Sequence, residues 1–146
     1  MVTPRIVDYL TYDNNKYKPY DDKPEFVISK ATADEMKRML VKTVTDGTGK
    51  AARMNGLEIG GKTGTAQIAR GGKYLKKYIS SFFGFVNDEE GNSYTIGVTV
   101  INPISTGKNW YYYYASWSAV PVFKEIVQNL IKLNYLTPKE DIISNK

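Results

Sequence analysis

The sequence predicts an α+β fold in which a small antiparallel sheet is covered by helices. Three β-prone runs follow one another in the middle of the chain, and a polar link typical of a hairpin joins the second to the third. Two segments with helical spacing of apolar residues flank these runs. The chain has 146 residues, of which 42 % are hydrophobic, so we expect one domain with a buried core.

The N-terminal part, residues 1–30, is predicted to be an extended β arm. It contains two short β-prone runs, RIVDYL at 5–10 and EFVI at 25–28, separated by a polar link with tyrosines and prolines. A helix is expected to begin at Thr32, which has capping-box spacing to Glu35, and to end at Gly47. The side chains expected on its inner face are Met36, Met39, Leu40, Thr43 and Val44.

Three strands are expected at residues 57–66, 79–86 and 94–101. A mobile, glycine-bearing loop at 70–73 is predicted between the first two strands. The link NDEEGN at 87–92 favours an antiparallel hairpin of the second and third strands. Together these runs predict a sheet of about three core strands.

A last helix is expected from about residue 118 to 133. Pro121 fits its first turn, where the missing N–H costs little. A broad apolar stripe suits this helix to one face of the sheet. The stripe consists of Val122, Phe123, Ile126, Val127, Leu130 and Ile131. The tail at 138–146 is polar and is expected to fray. The tyrosine run at 111–114 favours packing or interface surface over a chemical site.

The composition restricts the chemistry that the chain can perform. Twenty Lys and Arg against fifteen Asp and Glu give a net charge of +5, which suits anionic partners but also fits a solvated, lysine-rich surface. The absence of cysteine excludes disulfides and thiolate chemistry, and the absence of histidine excludes a Ser-His-Asp triad and most zinc sites. Catalysis would therefore rely on lysine, carboxylate, hydroxyl or backbone groups, and no cofactor or metal is expected.

The segment GGKTGTAQ at 60–67 combines an ammonium group, two hydroxyls and three glycines. Residues 56–63 match the phosphate-loop pattern G-x-x-x-x-G-K-[ST]. A phosphate loop needs a hydrophobic strand before the first glycine and a helix that begins at the lysine. Residues 51–55 form no such strand, and Gly64 and Thr65 disfavour a helix. Nucleotide binding is therefore disfavoured.

The same segment can instead lie on a strand at the edge of a cleft. Lys62 and Gly64 would then point to one side and Thr63 and Thr65 to the other. Gly64 would let a ligand approach the backbone closely, and an ammonium with two hydroxyls suits a carboxylate. The edge backbone could pair with an extended peptide. A lone Lys-Thr-Gly also fits a surface turn with a solvated lysine, so the motif by itself leaves both interpretations open.

The chain resembles the C-terminal part of the transpeptidase domain of class B penicillin-binding proteins, the type that includes the septal, division-type enzymes. The matching segments follow in the family's order over nearly the whole chain, and Lys-Thr-Gly is an element of the signature of these enzymes. They are PRIV at 4–7, IS at 28–29, TVTDGTGKAA at 43–52, GGKTGTAQ at 60–67, SFFGF at 81–85 and AVPVFKEI at 119–126. One departure is YYASW at 113–117, where family members often carry a Gly-Gly pair.

The resemblance implies a partial penicillin-binding, serine β-lactamase-like fold and a serine D,D-transpeptidase that cross-links peptidoglycan. Lys62 would lie beside the catalytic serine and help to hold the terminal carboxylate of a D-Ala-D-Ala stem peptide or a β-lactam. Thr63 and Thr65 would donate hydrogen bonds to that carboxylate, and the Thr65 backbone N–H would stabilise the oxyanion. Lys62 and Thr65 are thus the catalytic candidates. The remaining substrate-binding candidates are Gly61, Gly64 and Gln67.

The family's other two motifs are missing. The sequence contains no S-x-N, and its one S-x-x-K, from Ser105 to Lys108, follows the Lys-Thr-Gly segment and includes Gly107 in an expected loop. The family's nucleophile precedes Lys-Thr-Gly and begins a helix, so no nucleophile is expected in this chain. The chain is therefore expected to be an inactive portion of a longer enzyme, truncated at Met1. The resemblance implies that this parent has a membrane anchor and acts on the outer face of the bacterial cytoplasmic membrane.

The expected partners follow from this interpretation. They are stem peptides and β-lactams in the intact domain, and the N-terminal remainder of the parent protein. The last strand of the sheet would expose an edge without that remainder, so self-association by strand exchange is also expected. Nucleic acid is not an expected partner. The alternative is a non-enzymatic binding module of the cell envelope, in which the basic surface and the tyrosines contact protein or glycan.

Overall fold

A computed structural model describes residues 6–19, 25–105, 107 and 110–139. In these ranges the chain forms two short strands, a helix, three long strands and a second helix, which confirms the predicted α+β class. The elements are β1 (Leu10–Tyr12), β2 (Asn15–Tyr17), α1 (Lys30–Thr45), β3 (Glu58–Arg70), β4 (Lys73–Asn87), β5 (Ser93–Ile101) and α2 (Ala119–Lys132), with single 3-10 turns at Lys50–Ala52 and Ala115–Trp117. None of the helices in the described ranges has the length and apolarity needed to cross a membrane.

The chain divides into two compact units, residues 1–35 and 36–146. In the first unit, β1 and β2 form an antiparallel hairpin around Asp13 and Asn14, whose φ angles of +48° and +61° favour a tight two-residue turn. This hairpin begins at the end of the β-prone run at 5–10 and continues into the polar link. A β hairpin is thus present in the predicted arm, but of the two β-prone runs only Leu10 lies in a strand, and the described residues 6–9 and 25–28 do not.

The N-terminus of α1 also differs from the prediction. The helix begins at Lys30, and the Ser29 hydroxyl accepts a hydrogen bond from the Thr32 backbone N–H at 3.1 Å. Ser29 is therefore the N-cap, and the capping box predicted at Thr32 is wrong. In the second unit Val44 is buried, whereas Met36 and Met39 are 50 % and 54 % exposed, so the predicted inner face of α1 is covered only near its C-terminus.

The second unit is built on the sheet β3–β4–β5, in which β3 and β5 are the two outer strands. Both pairs are antiparallel, so the predicted hairpin of the second and third strands is confirmed. The sheet has a covered face, which carries Phe82 and Val98, and an open face, which carries Phe83. Phe82 is fully buried, whereas Phe83 is 59 % exposed.

The helix α2 packs on the covered face. Phe123 is fully buried and meets the Phe82 ring edge-to-face, with ring centroids 4.8 Å apart. The last-helix prediction is thus confirmed, with Ser118 just before its first residue. The core around these rings contains Val44, Ala52, Ile59, Val86, Val98, Ala115, Ala119, Val120, Val127 and Leu136.

The strands β3 and β4 are longer than predicted and continue as a two-stranded ribbon beyond the rest of the sheet. Gly71 and Gly72, with φ angles of +58° and +73°, form the turn that joins them. The mobile loop predicted at 70–73 is therefore a tight hairpin turn. The exposed cations of this basic ribbon are Arg70, Lys73, Lys76 and Lys77.

The segment after α2 returns to the sheet. Leu136 is buried, the Thr137 backbone N–H donates to the Asp88 carboxylate at 3.0 Å, and the Lys139 N–H donates to the Gly56 carbonyl at 3.0 Å. The predicted frayed tail at 138–146 falls mostly on residues 140–146, which lie outside the described residues. Lys139 itself is held at this position, so fraying does not begin at residue 138.

Candidate functional site

The Lys-Thr-Gly segment lies within β3, an outer strand of the sheet. Strand geometry continues from Glu58 to Arg70, so no helix begins at Lys62. A phosphate loop requires that helix, because its N–H groups hold the phosphates. The structure therefore agrees with the edge-strand interpretation and not with the phosphate-loop match.

Side chains alternate along β3 as expected for a strand. Lys62 lies opposite Phe83, on the open face of the sheet, and is exposed. Thr63 lies opposite the buried Phe82 and Thr65 opposite Ser80, on the covered face. The ammonium and the two hydroxyls thus reach the outer edge of β3 from opposite faces.

Two hydrogen bonds establish which backbone groups of β3 point away from β4. The Gly61 carbonyl accepts a hydrogen bond from the Thr43 hydroxyl of α1, and the Thr63 carbonyl accepts one from the Lys62 ammonium at 2.7 Å. In an antiparallel strand the N–H and C=O of one residue point to the same side, and this direction alternates along the chain. The backbone N–H of Thr65 therefore also points outward from the sheet.

Both threonine hydroxyls have a hydrogen-bonding neighbour. The Thr63 hydroxyl lies 2.8 Å from the Thr48 hydroxyl, and the Thr65 hydroxyl oxygen accepts a hydrogen bond from the Ala115 backbone N–H at 3.3 Å. A hydroxyl has one proton and two acceptor lone pairs, so Thr65 keeps its proton for another acceptor. A carboxylate only accepts hydrogen bonds, which makes it a suitable ligand for this position.

The tyrosine run holds the Ala115 segment against the sheet. The Ser80 hydroxyl donates to the Tyr113 carbonyl, and the Tyr78 and Tyr113 rings are stacked with centroids 4.2 Å apart. A hydrogen bond with Tyr114 raises the pKa of the Tyr113 phenol above its usual value. The prediction that this run serves packing is thus confirmed for Tyr113, and the run positions the Ala115 N–H beside Thr65.

The two glycines assigned to substrate binding have different surroundings. A Cβ atom at Gly64 would meet only the Ser81 hydroxyl, at 2.9 Å, on the open face. A Cβ at Gly61 would lie 2.5 Å from the Phe82 ring and 2.8 Å from the Phe83 carbonyl. Gly61 is buried, and its assignment to substrate binding remains a prediction. Its missing side chain makes room for the core.

Gln67 is the last of the predicted site residues, and Ser105 is the serine that the sequence excluded as a nucleophile. Gln67 is exposed and lies opposite Tyr78, next to an irregularity in the register between Gln67 and Ala69. The exposed Ser105 hydroxyl accepts a hydrogen bond from the Gly107 N–H at 3.1 Å, and Gly107 has a φ of +87°. Neither Ser105 nor Gly107 lies in a helix, as expected, while Thr106 and Lys108 lie outside the described residues.

Thr48, Ser80 and Ala115 contact the motif or its support but were not among the predicted site residues. Thr48 and Thr63 are 15 positions apart in the chain, and Ala115 acts through its backbone alone. Residue type and spacing carry no signal for such contacts. In the sequence, Gly47-Thr48-Gly49 indicates only the end of a helix and belongs to a segment of the family resemblance.

Two cavities lie away from the Lys-Thr-Gly segment. One of about 380 Å³ is lined by residues of α1 and of 53–59, and another of about 310 Å³ by residues 56–58, 87–89 and Lys139. Beside the first cavity, Lys37 forms an ion pair with Glu58 at 2.5 Å. Burial of Glu58 opposes its ionisation, but the hydrogen bonds from Lys37 and Asn87 outweigh burial and hold the pKa of this carboxyl below its usual value.

Comparison with known proteins gives matches over most of the chain. Residues 1–128 match the family model of the penicillin binding protein transpeptidase domain. The chain is 33 % identical over 121 residues to stage V sporulation protein D of Bacillus subtilis, and 34 % identical over 125 residues to a peptidoglycan D,D-transpeptidase FtsI homolog of Chlorokybus atmophyticus. These alignments cover 82 % of the chain in both cases, but only 18 % and 17 % of the two relatives.

A similar solved structure comes from the same family. The TP domain of penicillin-binding protein 3 from Burkholderia pseudomallei superposes with a TM-score of 0.66 at 31 % sequence identity. The match covers 86 % of this chain and 38 % of that domain structure. The chain thus spans a minor part of the length of each of these proteins.

Proposed function

This chain belongs to the family of penicillin-binding protein transpeptidase domains, and from this premise we propose that it forms the Lys-Thr-Gly wall of the active site of a peptidoglycan D,D-transpeptidase. The substrate is the D-Ala-D-Ala end of a stem peptide, and β-lactams bind in its place. The observation that carries the proposal is the outer edge of β3 between Lys62 and Thr65. Donors of three kinds meet there: an ammonium, two hydroxyls and an outward backbone N–H.

Each of these donors has a role in the proposed reaction. Lys62 is exposed on the open face, so its ammonium can leave the Thr63 carbonyl and reach toward the catalytic serine and the substrate carboxylate. Thr63 and Thr65 donate their hydroxyl protons to that carboxylate. The Thr65 N–H stabilises the oxyanion that forms at the attacked carbonyl, a contact typically worth about 3 kcal/mol in the transition state.

Gly64 and Gln67 form the remainder of this wall. With no Cβ at Gly64, the substrate backbone can lie against the open face of β3 beside Ser81. Gln67 is exposed farther along the strand and flanks the substrate. An extended peptide that pairs with the outward backbone groups of β3 would pass these residues in order.

The serine nucleophile is supplied by a part of the protein outside this chain. Ser105 lacks the helical setting in which a lysine lies one turn after the serine, since Gly107 has a positive φ. The chain alone is therefore inactive. The complete protein acts where peptidoglycan is assembled, on the outer face of the bacterial cytoplasmic membrane.

Carboxylate recognition can be tested by NMR titration of the chain with a peptide ending in D-Ala-D-Ala. The matched ligand control is the same peptide with a C-terminal amide, which has the same shape without the charge. We expect the acid to shift the amide signals of residues 62–65, and Lys62→Ala to weaken its binding about tenfold. Lys73→Ala removes an equally exposed cation from the basic ribbon and should change binding less than about threefold. Equal binding of acid and amide would refute the proposed role of the motif.

The location of the nucleophile needs a separate experiment. We expect no covalent labelling of this chain by a fluorescent penicillin, with or without Ser105→Ala. In the complete protein, Lys62→Ala should slow labelling while Lys73→Ala leaves it unchanged. Labelling of the isolated chain that disappears in Ser105→Ala would show that the chain carries its own nucleophile.

A further inference from the structure

We propose that Ser80 is a positioning residue that directs the hydroxyl proton of Thr65 toward the carboxylate of the ligand. It acts through the segment 113–115, which it holds against the sheet, and does not itself touch the ligand. The inference rests on the proposed function and deepens it, because it adds a buried residue of β4 to the recognition of the carboxylate.

Ser80 is the cross-strand neighbour of Thr65. The two residues lie directly opposite each other on β4 and β3, on the covered face of the sheet. Ser80 is fully buried, whereas Thr65 on the outer strand is exposed. A buried hydroxyl is costly unless it forms a hydrogen bond, and the Ser80 hydroxyl donates its one proton to the Tyr113 carbonyl. The donor of Ser80 is therefore committed to the segment that covers this face.

The same segment reaches Thr65 two residues later. Ala115 is buried, and its N–H donates to the Thr65 hydroxyl oxygen at 3.3 Å. The two hydroxyls thus hold one short segment from neighbouring strands, Ser80 at a carbonyl and Thr65 at an N–H. A single residue, Tyr114, separates the two bonds, and its peptide units are planar and stiff. A shift of the Tyr113 carbonyl therefore moves the Ala115 N–H as well.

A second contact from β4 locates Tyr113. Tyr78 lies two residues before Ser80 and hence on the same face of the strand. Its ring stacks on the Tyr113 ring with centroids 4.2 Å apart, and the Tyr114 N–H donates to the Tyr111 carbonyl at 3.0 Å. Stacking and the internal turn fix where the segment lies, whereas the directional bond from Ser80 fixes how the Tyr113 carbonyl is oriented.

The bond from Ala115 decides what the Thr65 hydroxyl can do. An N–H that approaches from the segment occupies one acceptor site of the hydroxyl oxygen and leaves the proton to point elsewhere. Because Thr65 is exposed, that proton is available to a ligand at the edge of β3. In Ser80→Ala the Tyr113 carbonyl loses its donor and becomes an acceptor that competes for the Thr65 proton. The carboxylate then loses a donor although every residue that contacts it is unchanged.

A double-mutant cycle tests whether Ser80 acts through Thr65. In NMR titrations with the D-Ala-D-Ala peptide, Ser80→Ala should weaken binding of the acid about fivefold and change binding of the C-terminal amide less than about twofold. Thr65→Val removes the hydroxyl itself and should weaken binding of the acid about tenfold. In the Thr65→Val background, Ser80→Ala should change binding less than about twofold, because the group through which it acts is gone. A full fivefold loss in that background would overturn the inference.

Two further measurements separate positioning from a general loss of stability. Val127→Ala destabilises the core without removing a hydroxyl and should keep the preference for the acid; loss of that preference would overturn the inference. Without ligand, Ser80→Ala should speed hydrogen exchange at the Ala115 amide and average the χ1 couplings of Thr65, which should report one rotamer in the unchanged chain. Equal binding of acid and amide by the unchanged chain would refute the proposed function, and this inference with it. A retained acid preference in Ser80→Ala, or unchanged exchange at Ala115, would overturn only the role of Ser80.

Discussion

Gly61 and Gly64 differ by three positions on β3, and alanine substitutions at the two should have different effects. At Gly61 the new Cβ would lie 2.5 Å from Phe82, 2.8 Å from the Phe83 carbonyl and 3.0 Å from the Cα of Gly84. Ordinary contacts between carbon atoms are about 3.5–4.0 Å, so β3 and β4 would have to separate or Phe82 would have to leave its position. At Gly64 the single close atom is the Ser81 hydroxyl, which can rotate away.

The expected magnitudes follow from these contacts. Overpacking in a well-packed core costs about 1–3 kcal/mol, and two of the three contacts at Gly61 are with backbone that cannot rotate away, which favours the upper half of that range. Both substitutions also restrict the unfolded chain, which stabilises the fold by about 0.4–1 kcal/mol. We therefore expect Gly61→Ala to lower the free energy of unfolding by about 2 kcal/mol and Gly64→Ala to change it by less than about 0.5 kcal/mol.

Urea denaturation followed by circular dichroism measures both values, and a thermal scan should show a decrease in Tm of about 5 °C for Gly61→Ala. The NMR titration with the D-Ala-D-Ala peptide supplies the second readout. Gly64→Ala should weaken binding of the acid because its methyl group occupies the open face of β3. Similar losses of stability for the two variants would show that it is wrong to place Gly61 against the core and Gly64 on the open face of β3.

Three further substitutions test the packing and the electrostatics. Phe123→Ala should lower the free energy of unfolding by about 3–5 kcal/mol in urea denaturation, because it empties the centre of the core. Lys37→Met should cost less than about 1 kcal/mol at pH 7, since its ion pair with Glu58 is partly exposed. The folded-state pKa of that carboxyl is lowered, so its stabilisation is present above the ordinary value of 4.5 and is lost as the pH falls through the folded pKa. The difference between the unchanged chain and Lys37→Met should therefore shrink in unfolding curves between pH 7 and pH 3. Asp88→Asn should speed hydrogen exchange at the Thr137 amide, which would lose a carboxylate acceptor.

The sheet could be predicted from the sequence because β-branched and aromatic residues concentrate in its strands. Large apolar residues alternate with threonine or glycine within 94–101, and a polar link precedes them. These two features predicted β5 and its pairing with β4. The extension of β3 to Arg70 could not be predicted, because a glycine pair fits a loop as well as a tight turn; in the structure, positive φ angles at Gly71 and Gly72 form the tight turn. The start of α1 was missed because two residues, Ser29 and Thr32, could each act as the N-cap.

The candidate site was predictable only in its linear part. Lys62, Thr63 and Gly64 are consecutive, so the two-residue period of a strand correctly predicted on which face of the sheet each of them lies. The contact between Thr65 and Ala115 depends on how a long connection folds back, which no local pattern determines. Glycines look identical in sequence, so the different surroundings of Gly61 and Gly64 could not be predicted.

The basic ribbon should affect how fast an anionic ligand reaches the site proposed at the Lys-Thr-Gly segment. Arg70, Lys73, Lys76 and Lys77 lie on the same pair of strands as Lys62, and all are exposed. Their combined field extends about 8 Å into a solution of physiological ionic strength and farther at low salt. A peptide with a terminal carboxylate is therefore drawn toward this end of the sheet before it makes any contact. Capture of an anionic ligand should slow as salt is added, while the contacts that hold the bound ligand in place change much less.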